Sequence, residues 1–434
     1  MNMVFRAHSV MAKLLPVDLK SRKQLAVITP SFVLIPVVRH PSVKISQVAA
    51  LLPELRSAVT QERRRPTAVR FSDELCNFIE IARDDAKALS FRTDDPKSFG
   101  KLQALQPFHA LIGRSYAYGG SDEVLSLTDS NQGSTFAAGM QGSGKSTFVR
   151  AYLSTMTYAT SPDLLHVYLI DMKRRSLVAY ESLPHVVAAA YTPEAAAQVV
   201  ETVYKEMEAR KSKPQPHRTL LVIDELRELK YADGDLLEMV SRIASLGREL
   251  GVPLLCATQK PLSSELGPII KSQFAVRVVG TLEDATASHT VTGRAGLNAH
   301  LLEGKGSMLM VATARQPTRI QVYNFDEPLV TELAEMTRRR WQNVARPQPM
   351  AIVAPAESRA ITMPGRSSRA EGDAQKIAEV FSQYYRPESN GFVNGAKSRF
   401  TKLIVGDGAT YEGGNAARVD KAIQHLLRER SAAQ

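Results

Sequence analysis

Short apolar runs and longer stretches of helical spacing succeed one another along this chain, and their order divides it into segments. Residues 24–38 are strand-rich, residues 45–59 set Val48, Leu51, Leu52 and Leu55 on one face of an amphipathic helix, and residues 68–81 return to strand character. That pattern predicts a small α+β unit. From 108 to 326 strand and helix patterns alternate, which predicts a parallel sheet with right-handed crossovers. Between 341 and 371 the periodicity disappears, and Pro347, Pro349, Pro355 and Pro364 mark a linker. From 373 to 429 a compact segment follows, with helices near 374–385 and 415–430 and a glycine-rich turn at 406–414. The expected domains are a small α+β domain over 1–105, an α/β domain over 106–345, a linker over 346–371 and a C-terminal domain over 372–434. No segment repeats another.

A chain of 434 residues has room for about two to four domains. Its 44% hydrophobic and 23% charged residues are ordinary for a globular protein and exclude a fibrous or disordered class. No apolar run reaches the roughly 18 residues a spanning helix needs; the longest, Ala26 to Val38, is broken by Thr29, Pro30, Ser31 and Pro36. The basic N-terminus has no compact apolar core with a cleavage site. Cys76 and Cys256 lie far apart in apolar contexts, which argues for a reducing compartment and against a disulfide framework or zinc site. A cytoplasmic protein without membrane insertion is therefore expected. The net charge of +11 favours a polyanionic partner, and the basic clusters Arg63–Arg65, Lys173–Arg175 and Arg338–Arg340 are scattered, as suits contact with a phosphate backbone.

The chemistry is concentrated in the central segment. Gly139, Met140, Gln141, Gly142, Ser143, Gly144, Lys145, Ser146 and Thr147 fill G-x-x-x-x-G-K-[ST] between a buried strand end, Thr135–Ala138, and a helical stretch, Thr147–Met156. Glycines let such a loop turn its N–H groups toward phosphates, Lys145 would reach the β- and γ-phosphates, and Ser146 would hold Mg²⁺. Leu220–Ile223 has the continuous apolar character of a buried parallel strand and runs into Asp224 and Glu225. Asp224 would hold the metal, and Glu225 would activate the water that attacks the γ-phosphate. A third strand, Val252–Thr258, ends at Gln259, where an amide would sit beside the γ-phosphate or in an ordinary loop.

With these residues in place, the chain resembles the FtsK/SpoIIIE family of ring-forming DNA translocases from about residue 30 to 312. The resemblance is carried by the phosphate loop, by Val167–Asp171 with Lys173, by Tyr180–His185, by Leu221–Glu225, by Ala257–Pro261, by Ile269–Lys271 with Arg277, and by Gly306–Leu309. His40–Ser46, Val69–Phe71 and Phe78–Ile81 are similar to the small domain that precedes the motor in that family. The resemblance implies an α/β, RecA-like P-loop NTPase core, with ATP and Mg²⁺ as cofactors, double-stranded DNA as partner and a homo-oligomeric, hexameric ring. It also implies that Gln259 senses the γ-phosphate and that an arginine completes the site of a neighbouring subunit. The family's arginine aligns here with His289, so Arg277 and Arg294 are the candidates for that role. Lys173, Arg174, Arg175, Lys260 and Lys271 follow strand ends and are candidate DNA contacts. The C-terminal domain is read as a winged helix, with Arg418 and Lys421 on a basic face faintly similar to the family's recognition helix.

Two other readings stay open. Related ATPases drive protein secretion or act as coupling proteins in conjugation, although these usually carry membrane helices or tandem modules. Alternatively the chain is a DNA-binding replication or partition factor with weak ATPase; His289 favours that reading and Glu225 opposes it.

Overall fold

The computed structural model describes residues 27–28, 32–36, 44–63, 69–72, 78–83, 89–115, 121–129, 132–231, 236–259, 273–294, 296–313, 315–352, 369–386, 391–392, 395–405, 416, 419–424 and 426. The chain divides into two compact units, 1–357 and 358–434.

The first unit opens with a four-stranded antiparallel sheet of β1 (Val27–Ile28), β2 (Phe32–Pro36), β3 (Val69–Ser72) and β4 (Phe78–Ala82), in the order β1-β2-β4-β3. Its helical segment differs from the single helix expected over 45–59. It forms two pieces, α1 (Ile45–Ala50) and α2 (Leu52–Arg63), with a turn at Leu51. Pro53 explains the break, because proline lacks an N–H and fits the first turn of a helix far better than its interior. Leu55 and Val59 of α2 are buried, as are Ile79 and Ile81 of β4.

Next come β5 (Leu89–Ser90), α3 (Pro96–Gln103), β6 (His109–Ser115), β7 (Asp122–Ser126), β8 (Thr135–Ala138) and α4 (Lys145–Ala159). They are followed by β9 (Leu165–Ile170), β10 (Val186–Ala190), α5 (Pro193–Ala209), β11 (Arg218–Ile223), α6 (Leu236–Leu246), β12 (Leu254–Thr258), β13 (Val276–Val279), α7 (Ala285–Thr292), β14 (Ser307–Ala312), β15 (Thr318–Asn324) and α8 (Glu327–Arg340). These strands make one eleven-stranded sheet, ordered β10-β9-β11-β12-β8-β13-β14-β15-β6-β7, with β5 beside β15.

Only half of that sheet is parallel. Strands from β10 to β13 run parallel, whereas β13-β14, β14-β15, β15-β6 and β6-β7 are antiparallel pairs. The wholly parallel sheet expected over 108–326 is corrected accordingly. The reason lies in the connections: β6 to β7 and β14 to β15 have no helix between them, and antiparallel neighbours need only a short link where parallel ones need a crossover.

Helix α4 extends one turn beyond the expected Met156 and is buried along nearly its whole length, including Phe148, Tyr152, Leu153 and Met156. Two of its hydroxyls bond within the helix, the Thr155 hydroxyl donating to Ala151 O at 2.7 Å and the Thr157 hydroxyl to Leu153 O at 2.8 Å. Cys256 is a buried free thiol on β12; Cys76 lies outside the described residues. Among the described residues no helix is long and apolar enough to cross a membrane.

Within the expected linker, Met350 N–H donates to Val187 O at 2.8 Å, and residues 353–368 lie outside the described residues. The second unit has α9 (Arg369–Tyr384), the paired strands β16 (Tyr385–Arg386) and β17 (Gly391–Phe392), α10 (Ala396–Val405), and helical residues at 419–424. Helix α10 was not anticipated. Ile377, Phe381, Phe400, Ile404, Val419 and Ile423 close a small core, with the Phe381 and Phe400 rings 6.1 Å apart. The turn expected at 406–414 lies outside the described residues.

Candidate nucleotide site

Strand β8 sits between β12 and β13 and pairs in parallel with both. From β9 to β12 the parallel strands lie on one side of β8, and β13 lies on the other. The C-terminal end of β8 is therefore a point where strand order reverses, the place where open α/β sheets bind ligands. There the chain leaves as the loop 139–144 and enters α4 at Lys145, with Gly144 as N-cap at φ +103° and no side-chain cap. The first N–H groups of a helix have no partner within it, so Lys145, Ser146 and Thr147 present donors at the positive end of α4.

A second loop braces the first. Lys305 N–H donates to Gly142 O at 2.9 Å, Gly306 N–H to Ser143 O at 3.0 Å, and Met140 N–H to Thr281 O at 2.8 Å. A Cβ on Gly144 would meet Gly306 Cα at 2.5 Å. Two glycines are thus needed where the loops cross, and both adopt positive φ, with Gly306 at +84°. Gln141 and Gly142 are exposed, Ser143 is buried, and Ser146 and Thr147 are half-buried.

Strand β11 lies between β9 and β12, so Asp224 and Glu225 emerge beside Asp171 on one side and Thr258 on the other. Lys145 is buried, which pulls its pKa down, while Asp224 and Glu225 oppose the shift. Burial raises the pKa of Asp224, Lys145 lowers it, and Asp171 adds to the rise. Asp224 Oδ1 is buried without a hydrogen-bond partner. Such an oxygen is costly unless a cation or donor meets it, so this carboxylate, at the same strand ends as the phosphate loop that carries Ser146, fits a hard divalent cation.

Glu225 is held from β12. The Thr258 hydroxyl donates to it, and Gln259 N–H donates to its two carboxylate oxygens at 3.2 and 3.1 Å. The Gln259 side chain is exposed at the same strand end. Lys173 Nζ lies 3.5 Å from Glu225 Oε2 and 4.0 Å from Glu228 Oε1.

Lys145, Asp224, Glu225, Gln259 and Lys173, chosen from separate stretches of sequence, thus come together at the C-terminal ends of neighbouring central strands. Arg277 and Arg294 belong to a different group. Arg277 is packed against Gly293 at the C-terminal end of α7, its pKa lowered by burial and by Arg294, whereas Arg294 and His289 are exposed. Arg174 and Arg175 are exposed beside Lys173, and Lys421 is exposed in the second unit. Lys260, Lys271 and Arg418 lie outside the described residues.

Sequence reasoning gave no role to Asp171 or Thr258. Asp171 is buried and its Oδ2 accepts the N–H groups of Arg175, Ser176 and Leu177 at 2.9, 2.8 and 3.0 Å, shaping the basic loop. It ends an apolar strand as Asp224 does, and that pattern was the available signal.

Comparison with known proteins agrees with this geometry. Residues 111–219 match the model of the FtsK/SpoIIIE family. DNA translocase FtsK of Sporosarcina ureae is 29% identical over 254 residues, covering 51% of this chain and 32% of that protein. DNA translocase SftA of Bacillus subtilis (strain 168) is 27% identical over 317 residues, covering 67% of this chain and 32% of that protein. The chain therefore spans about a third of the length of these relatives. The pCW3 conjugation coupling protein TcpA, solved as a monomer with ATPγS, shares the fold with a TM-score of 0.50 at 19% identity, over 77% of this chain and 99% of that one. With a phosphate-loop motif at the reversal point of its sheet, the chain is similar to the FtsK/SpoIIIE family over residues 111–219 and to these translocase relatives.

Proposed function

We propose that this chain is an ATP-driven motor for double-stranded DNA, working in the cytoplasm. The observation that carries the reading is the set of central strand ends where a glycine loop without a side-chain cap, a buried lysine and two differently held carboxylates converge. Gly139, Gln141, Gly142, Ser143 and Gly144, with the first N–H groups of α4, cradle the phosphates, and Lys145 neutralises their charge. Ser146 and Asp224 would hold Mg²⁺, which would supply neutralisation of phosphate charge there. Glu225 accepts the proton of the attacking water, and Gln259 reports on the γ-phosphate from the end of β12. The Thr258 hydroxyl fixes the direction in which Glu225 points.

Arg294, exposed after α7, is the residue offered to the neighbouring subunit of a hexameric ring, with the buried Arg277 as the other candidate. Lys173, Arg174 and Arg175 contact backbone phosphates without reading sequence, as a motor crossing arbitrary DNA requires. Lys260 and Lys271, and Arg418 and Lys421 of the C-terminal segment read as a winged helix, are further candidate phosphate contacts. The names of the translocase relatives support DNA as cargo.

The test is ATP hydrolysis by the purified protein with and without long linear duplex DNA, beside Lys145→Ala. Stimulation by duplex is expected, with kcat at least about 100-fold lower in the variant, since Lys145 acts on charge developed in the transition state. Hydrolysis indifferent to duplex would refute DNA as the cargo.

A further inference from the structure

Glu225 is gripped by two kinds of neighbour. Thr258 and Gln259 belong to the end of a central strand, whereas Lys173 comes from an exposed loop. That loop is preformed: Asp171 gathers its backbone N–H groups, Arg174 takes φ +49°, and the Arg174 guanidinium lies 4.9 Å from the centre of the Tyr191 ring. Its cations face solvent, yet one of them turns inward. The Lys173 side chain is 42% exposed while that of Glu225 is 8% exposed, so a single ammonium bridges the solvent and the buried carboxylate. Glu228, 33% exposed and 4.0 Å away, gives that ammonium a second and more open partner.

We propose that Lys173 is a positioning residue that restrains Glu225 in the DNA-free protein and releases it when a duplex phosphate takes over the ammonium. The proposal rests on the reading of Glu225 as the base and of duplex DNA as cargo. A carboxylate held on one side by a hydroxyl and an amide and on the other by an ammonium is not free to turn toward a water. Freed of the ammonium, it keeps the fixed support of Thr258 and Gln259 and gains a face open to the nucleotide. The strength of the restraint suits a reversible latch: an ion pair with one exposed member shifts an equilibrium by no more than about fivefold. Duplex DNA, with one charge per roughly 1.7 Å of axis, outcompetes such a pair readily.

The experiment compares kcat and KM for ATP of the full chain, with and without long linear duplex, in wild type, Lys173→Met and Lys173→Arg. Lys173→Met is expected to raise the DNA-free kcat by up to about fivefold at unchanged KM and to shrink duplex stimulation by the same factor. Lys173→Arg, which keeps the charge, is expected to restore most of the wild-type ratio. An unchanged or lower DNA-free kcat in Lys173→Met overturns the proposal whatever the wild type does. If the wild type ignores duplex while Lys173→Met still raises kcat, the restraint stands as observed but duplex is not its release signal. That outcome overturns the coupling and the DNA reading together.

Discussion

Lys145 and Asp224 are each in a place that disfavours their charge, and each makes the other tolerable. Burial lowers the lysine and raises the aspartate, while their mutual attraction works against both shifts. Glu225 is treated differently: its oxygens are met by a hydroxyl, an amide and an ammonium, so the fold directs it and does not merely neutralise it. Glu225→Gln keeps the shape and most of these contacts but cannot accept a proton. Its kcat is expected to fall at least about 100-fold while nucleotide affinity, set by the loop and Lys145, stays near that of wild type. Steady-state hydrolysis together with titration of a fluorescent nucleotide separates the two, and a loss of less than tenfold would remove Glu225 from the role of base. The residues in this prediction were legible because they follow one another in short motifs. Thr258 and Asp171 were not, because they reach Glu225 and Asp224 only through the adjacency of β9, β11 and β12, which linear order does not encode.

At the scale of elements, the antiparallel half of the sheet is what braces the phosphate loop. Strand β14 begins at Ser307, directly after the loop 304–306 that bonds to Gly142 and Ser143, and Gln321 of β15 donates to Lys305 O at 2.9 Å. Two residues away on β15, Arg319 joins the N-terminal sheet to the segment just before that loop. Its guanidinium donates to Glu80 of β4, to Glu303 Oε2 at 2.6 Å and to Ser307 Oγ at 3.3 Å. Arg319 and Glu80 are both buried. Removing only the arginine leaves two carboxylates without their cation in a closed site, so Arg319→Met is expected to cost about 3–5 kcal/mol. The double variant Arg319→Met with Glu80→Met should cost less than Arg319→Met alone, because it removes an uncompensated charge. Urea unfolding followed by circular dichroism measures both; a single-variant cost below about 1 kcal/mol would mean the cluster is solvated. None of this was readable from the pattern of strands and helices. Glu80 and Arg319 are separated by most of the chain, and β6 and β7 precede the phosphate loop in sequence yet lie at the far edge of its sheet.

For the whole molecule, net charge indicates a polyanion but not which cations meet it. The structure separates the clusters. Arg338 and Arg339 of α8 pair with Glu335 at 3.0 and 2.9 Å, Arg338 also donates to Ser182, and Arg340 stacks over Tyr158 at 4.7 Å. Those arginines already have local partners, though their exposed pairs with Glu335 are worth about 1 kcal/mol or less. Arg174 and Arg175 stand beside the candidate nucleotide site with exposed side chains, and Lys173 bridges from that loop to Glu225. Each phosphate neutralised contributes about −0.9 to the slope of log affinity against log salt. Replacing Lys173, Arg174 and Arg175 together by alanine is therefore expected to flatten that slope by up to about 2.7, through loss of three phosphate contacts. Replacing Arg338 and Arg339 should leave it unchanged. Fluorescence anisotropy with a labelled duplex across a salt series reads both. If the slope follows Arg338 and Arg339, the duplex lies along α8 and not on the loop that touches Glu225, and binding does not act on the carboxylate through Lys173. A slope that follows the loop puts the polyanion within reach of the residue that would activate water, which is the arrangement a DNA-dependent hydrolase requires.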